Sequence, residues 1–259
     1  MIKQSLLIPL FFLACQGLAL AETVSFESGP EKVSLFELYT SEGCSSCPPA
    51  DQWFASLKDS PDLWQRVVPV AFHVDYWNNL GWKDPFSSLE FTLRQRDYAE
   101  TWKTMNIYTP MIVRDGAEFP GWIQGRLLQE EPRKNTGILR VERSGPAEFT
   151  VTFAPPKEML NRPDWIVNAA LLGFGVPSHV TAGENAGRDF RHDFTVLAFA
   201  RKKSALQEGE VKAAFVLKAQ PNVHTAQLGV AAWVQLLEEE EPLQAVGGLL
   251  PRETGSRQS

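Results

Sequence analysis

Four consecutive residues, Cys44-Ser45-Ser46-Cys47, carry the most distinctive chemistry in the chain. Two thiols separated by two residues can close a disulfide, open it for exchange with another disulfide, or grip a thiophilic metal. Exchange requires a thiolate near pH 7, so the pKa must fall from the ~8.5 of a free thiol, and a helix N-terminus favours that by partial charge and unused N–H donors. On this reading Cys44 attacks and Cys47 resolves the mixed disulfide from within the same turn. An inert staple is the competing reading, but closing a four-residue loop is worth only roughly 2 kcal/mol against about 4.7 for a 100-residue loop.

The elements that must position this pair can be read on either side of it. Val33 to Tyr39 is rich in β-forming residues and ends in the turn-forming Thr40 to Gly43, which predicts a first strand. Ala50, Trp53, Phe54 and Leu57 fall on one face of a helix, and Pro48 and Pro49 are tolerated only at its opening. The cysteines are therefore expected at a helix N-terminus. Val67 to Val74 is a continuous apolar run, the pattern of a buried strand. Ser87 and Glu90 have capping-box spacing, which predicts a second helix from about Ser88 to Lys103. Asp115-Gly116 signals a hairpin, Gln124 to Glu130 a short closing helix, and Glu131 to Asn135 a linker. This β-α-β-α-β-β-α order with a C-x-x-C predicts an α/β thioredoxin-like domain over residues 30–131.

Within that frame, further residues gain roles. Thr109-Pro110 stands before the hairpin, where a cis proline would face the dithiol. Glu37 lies mid-strand, seven residues before Cys44; buried beneath the dithiol it would pass protons, and on an exposed edge it would do nothing. His73 and Asp75 end the second strand, and with Cys44 and Cys47 the His73 imidazole would make a zinc or copper site, the alternative to redox chemistry. No resident cofactor is expected on the redox reading. Tyr76, Trp77, Trp82 and Phe86 read as local core rather than a peptide groove, and Gly183 to Arg188 as a hairpin turn, with Arg188 and His192 only remote candidates for a site.

Beyond Gly137 the texture changes to strand-like segments at 138–141, 148–153, 165–172, 191–200, 211–217 and 224–234, which predicts a β-rich, sandwich-like domain over residues 137–250 and a disordered tail over 251–259. Lys3, the apolar run Leu6 to Ala14 and Ala19-Leu20-Ala21 form the pattern of a secretory signal over residues 1–21. Its removal takes Cys15 with it, leaving Cys44 and Cys47 as the sole cysteines, in a compartment that permits disulfides. A net charge of −6 without a basic stripe argues against nucleic acid, and no later run is long enough to span a bilayer. The expected protein is exported, periplasmic or secreted.

The runs E-L-Y-T-S-E-G-C-S-S-C-P-P-A-D (37–51), H-V-D-Y-W-N-N-L-G-W-K-D-P-F (73–86), Y-T-P (108–110), G-E-N-A-G-R (183–188) and L-G-V-A-A-W-V-Q (228–235) resemble a family of exported thioredoxin-like proteins, domain of unknown function 1223. The resemblance implies a thioredoxin-like first half and a β-rich remainder, and no established activity. Taken together, these readings lead us to expect a thiol–disulfide oxidoreductase acting on protein or peptide thiols. A metal-delivery module and a redox-inert interaction domain remain the alternatives.

Overall fold

The structure, a computed structural model, describes residues 23–125 and 133–252. In chain order its elements are β1 (Val24–Glu27), β2 (Ser34–Thr40), α1 (Pro48–Ser56), β3 (Val67–His73), α2 (Leu89–Thr101), β4 (Met111–Arg114), β5 (Ala117–Glu118), β6 (Ile138–Arg143), β7 (Glu148–Ala154), β8 (Asp164–Phe174), β9 (Val176–His179), β10 (Asp189–His192), β11 (Thr195–Gln207), β12 (Glu210–Val216), β13 (Gln227–Leu236) and β14 (Gln244–Leu249). Pro48 and Pro49 open α1, as their missing N–H groups require. Ser88, rather than Ser87, caps α2: its hydroxyl accepts from the Glu90 N–H at 3.2 Å. Gly116, at φ +83°, allows the tight β4–β5 turn.

Among the described residues, strands from both halves of the chain merge into one mixed sheet of twelve, and β9 and β10 form a separate pair. β2 runs parallel to β3 and antiparallel to β4. The long strand β11 is the junction. Its first residue, Thr195, pairs in parallel with Ala71 of β3, its length pairs antiparallel with β8, and its end pairs with β12. Because β11 covers β3 only near Ala71, the edge of β3 beside Pro69 needs no ladder donor, which is why a proline is accommodated there.

This architecture overturns the expected fold class, an α/β thioredoxin-like domain followed by a separate sandwich. The strands β8, β13 and β14 have a packed core on each face. Ala170, Leu172, Ala231 and Trp233 join the core built by β2, β3, α1 and α2, while Ala169, Leu171, Ala232 and Val234 join the core of β6, β7 and β12. Successive side chains of a strand point to opposite faces, so a strand buried on both sides reads as an unbroken apolar run. The runs Trp165 to Leu172 and Leu228 to Val234 are such strands, so the strands expected to form a sandwich beyond Gly137 share their sheet with the first half of the chain. Gln244, fully buried, ties the same junction: its side chain accepts from the Val33 N–H and donates to the Glu31 and Gly137 carbonyls.

The signal pattern over 1–21, most of the closing helix expected at 124–130 and nearly all of the tail lie outside the described residues; a 3₁₀ turn at Pro120–Gln124 precedes that helix position. Among the described residues no helix is long and apolar enough to cross a membrane.

Candidate functional site

Cys44 and Cys47 form a disulfide, with Cα atoms 5.5 Å apart, at the end of the β2–α1 loop; Cys47 is the N-cap of α1. Both cysteines are fully buried, while Ser45 and Ser46 between them are exposed. The Ser46 hydroxyl donates to Cys44 Sγ at 3.3 Å, and the Thr109 carbonyl oxygen lies 3.8 Å from the same sulfur. The Thr109–Pro110 peptide is cis. Trp77 fixes this segment by donating its indole N–H to Thr109 Oγ1 at 2.8 Å, and it also closes over the loop, because a Cβ on Gly43 would sit 3.1 Å from Trp77 Cβ. The structure thus brings Cys44, Cys47, Thr109 and Pro110 together.

Glu37 is not brought to them. Alternation along β2 sends Phe36 toward Trp53 of α1 and sends Glu37 and Tyr39 to the other face, against α2. There the carboxylate receives Arg94 at 2.7 and 2.9 Å, Tyr39 at 2.9 Å, and the Tyr98 hydroxyl. The Arg94 guanidinium is enclosed by Phe72, Tyr98, Phe199 and Trp233 rings. Burial works against its charge, but Glu37 outweighs that and holds its pKa well above the ordinary value. Glu37 is the anion of a sealed ion pair, and the proton-passing role expected for it falls away.

The ionisable groups nearest the dithiol loop are others. Glu42, two residues before Cys44, accepts from Trp82 Nε1 and lies 2.8 Å from His192 Nε2 of β10. Asp84 accepts the Glu42 N–H at 2.8 Å and lies 2.7 Å from His73 Nδ1. The two imidazoles meet edge to face at 4.9 Å, with Phe86 against both. Burial opposes a charge on His73, yet the Asp84 carboxylate prevails by charge and hydrogen bond and raises its pKa to about 8. For Asp84, burial acts upward and the His73 charge and hydrogen bond prevail, lowering its pKa.

Asp51 stands one turn into α1 from Cys47, its N–H bonded to the Cys47 carbonyl at 3.1 Å; burial pushes its carboxyl up, partly offset by His192 and His73. Asp51, His73 and His192 share a cleft of about 230 Å³ that opens beside Pro48.

His73 is therefore committed to Asp84. Among the described residues no group of three or more His, Cys, Asp or Glu side chains is arranged to hold a metal ion, so the Cys44, Cys47 and His73 site is not assembled. The expected turn at Gly183 to Arg188 links β9 to β10 and reaches the dithiol loop: Asn185, buried, donates to the Glu42 and Cys44 carbonyls at 2.8 and 2.9 Å, and Glu184 accepts the Ser45 N–H at 3.0 Å.

Sequence reasoning missed Glu42, Asp84, Glu184 and Asn185 and set His192 low. The signal was present as density: carboxylates, amides and aromatics crowd into the turn-rich runs 73–86 and 183–188. Tyr76 and Trp77 do pack on the first core, as expected of local core, whereas Trp82 spends its indole N–H on Glu42.

Fold and site together define a mixed α/β protein with one large sheet, whose buried C-x-x-C disulfide is clasped by loops from both halves of the chain. A family model described as a protein of unknown function (DUF1223) matches residues 35–235, and the chain belongs to that family. Two solved structures share the fold. One is the crystal structure of an Agrobacterium tumefaciens protein, 21% identical, with a TM-score of 0.53 over 88% of this chain and 99% of the other. The second is HBP35 of Porphyromonas gingivalis, 15% identical, with a TM-score of 0.58 over 90% of this chain and 79% of the other. No curated protein matches the sequence at a significant level.

Proposed function

We propose that the protein is an exported thiol–disulfide oxidoreductase whose Cys44–Cys47 pair exchanges with protein or peptide thiols and disulfides. The observation that carries this reading is the setting of the pair: a disulfide ending at the helix N-cap, with the Thr109–Pro110 backbone against Cys44 Sγ. In the reduced form Cys44 attacks one sulfur of a substrate disulfide, a mixed disulfide forms and the second substrate sulfur leaves as thiolate. Cys47 then attacks Cys44 Sγ, the substrate departs as its second thiolate, and the Cys44–Cys47 disulfide is restored. Asp51, one turn into α1 from Cys47 and lining the cleft beside that helix, offers a proton acceptor close to the pair. The secretory pattern at residues 1–21 supports export to a compartment where the disulfide persists.

Burial of both cysteines favours a second reading, an inert bridge in an interaction domain, because buried cysteines lacking access do not react. One experiment separates the two: glutathione titration of the pair, with Cys47→Ser expressed in the exporting compartment to trap partners. The redox reading expects trapped mixed disulfides on Cys44. A potential below about −300 mV with nothing trapped would establish the inert bridge.

A further inference from the structure

Every backbone donor that the structure ties down around Cys44 is turned away from its sulfur. The Cys44 N–H bonds the Ser41 carbonyl at 3.1 Å, the Cys47 N–H bonds the Cys44 carbonyl at 3.3 Å, and the N–H groups of Ala50 and Asp51 both go to the Cys47 carbonyl. Pro48 and Pro49, the first two residues of α1, have no N–H to give. The Ser45 N–H, the amide next along the chain from Cys44, is taken by the Glu184 carboxylate. Hydrogen bonding to Ser45 holds that carboxyl below its usual range, so it is charged at neutral pH. The Thr109 carbonyl faces Cys44 Sγ, where it accepts from a thiol and repels a thiolate. Among the described residues, the Ser46 hydroxyl is the one group that donates to the sulfur.

Thiolate character at the attacking cysteine is what makes a dithiol site oxidising: the better the reduced form is stabilised, the more readily the disulfide accepts electrons. We propose that the 183–188 loop sets the electron flow of this site, Glu184 withholding the Ser45 amide from Cys44 and placing a negative charge beside it, so that the disulfide is the favoured state and the dithiol acts as a donor toward protein disulfides. The inference rests on the redox reading above and supplies its direction. Each cycle gives two electrons to one substrate disulfide, which becomes two thiols, and closes the Cys44–Cys47 bond. The cycle then requires a second dithiol protein as upstream reductant, which is oxidised to its own disulfide as it reopens the pair. Glu184 is a positioning residue in this scheme, and Asn185 holds its loop in place through the Glu42 and Cys44 carbonyls.

The test compares full-length wild type with Glu184→Gln, which keeps an acceptor for the Ser45 N–H and removes the charge. Glu184→Ala removes both, and Glu184→Asp restores the charge. Each is equilibrated with glutathione redox buffers, and the alkylation rate of reduced Cys44 is followed against pH. The expected result is a glutathione equilibrium moved roughly three- to tenfold toward the dithiol in Glu184→Gln and further in Glu184→Ala. The Cys44 alkylation profile should move to lower pH in step, Asp should restore wild-type behaviour, and the difference should shrink at high salt. Exchange retained in every variant with an unmoved equilibrium, or one moved toward the disulfide, would overturn the assignment while leaving the redox function standing. No exchange with small dithiols in any variant would remove the function itself, and the inference with it.

Discussion

Two buried charge clusters flank the same strand, and they are built to opposite ends. On one face of β2, Glu37 and Arg94 meet through two hydrogen bonds inside a ring of aromatic side chains. At the C-terminal end of β2, Glu42, His73, Asp84 and His192 meet through single contacts, beside a cleft that opens at α1. The first cluster has a permanently charged guanidinium and cannot change state near neutral pH. The second contains an imidazole at about 8. Burial alone therefore does not mark a reactive carboxylate. What separates the two is whether the partner can give up its charge, and whether water or a substrate can reach it.

The largest effect expected from this contrast is at Arg94. Arg94→Met keeps the apolar packing and leaves the Glu37 carboxylate buried without its counter-ion, which should cost about 3–5 kcal/mol in urea unfolding. The double variant Glu37→Gln, Arg94→Met should recover part of that loss, because no charge is left unpaired. A single-variant cost under 1 kcal/mol would mean that the first cluster is not sealed, and the contrast with the second would collapse.

The dithiol, both helices and the Asp115-Gly116 hairpin were legible because each is a local matter of spacing, capping or turn chemistry. What the sequence hid was long-range. Glu37 could be placed on a strand, but not on a face, until α1 and α2 were seen on opposite sides of β2. The sheet's continuity was hidden for the same reason: an apolar run such as Ala169 to Leu172 reports burial and does not say that two different cores share it. Glu184 and Asn185 lie about 140 residues from the loop they clasp, a separation that no local pattern encodes.

The second cluster should reveal itself by pH. The folded pKa of His73 is raised from 6.5 to about 8, so its contribution is fully present below about pH 6.5 and is lost as the pH rises through 8. Asp84 is lowered, so its contribution holds above its ordinary 3.8 and is lost on acidification below that. The contribution of this pair should therefore hold between about pH 4 and 6.5, and stability should decline by on the order of 2 kcal/mol from there to pH 9. The check is the urea midpoint across that range in wild type and His73→Gln, the variant being flat above pH 6.5. An equally flat wild-type curve would make His73 neutral and would erase the distinction between the clusters.

The smallest effect lies where the second cluster's loop touches the dithiol. Thr109→Val is nearly isosteric and leaves the Trp77 indole N–H, now 2.8 Å from the Thr109 hydroxyl, without its acceptor. The expected cost is about 1 kcal/mol, the scale of one lost hydrogen bond, read from the urea midpoint. Trp77 also closes over Gly43, so loosening it should open the β2–α1 loop, and the buried Cys44 should then alkylate faster in the reduced protein. Loss of stability with no change in alkylation would make Trp77 a packing residue only. Faster alkylation at nearly unchanged stability would show that access to Cys44 is held by this one contact, and that the region around the dithiol, unlike the Glu37–Arg94 cluster, yields to a single hydrogen bond.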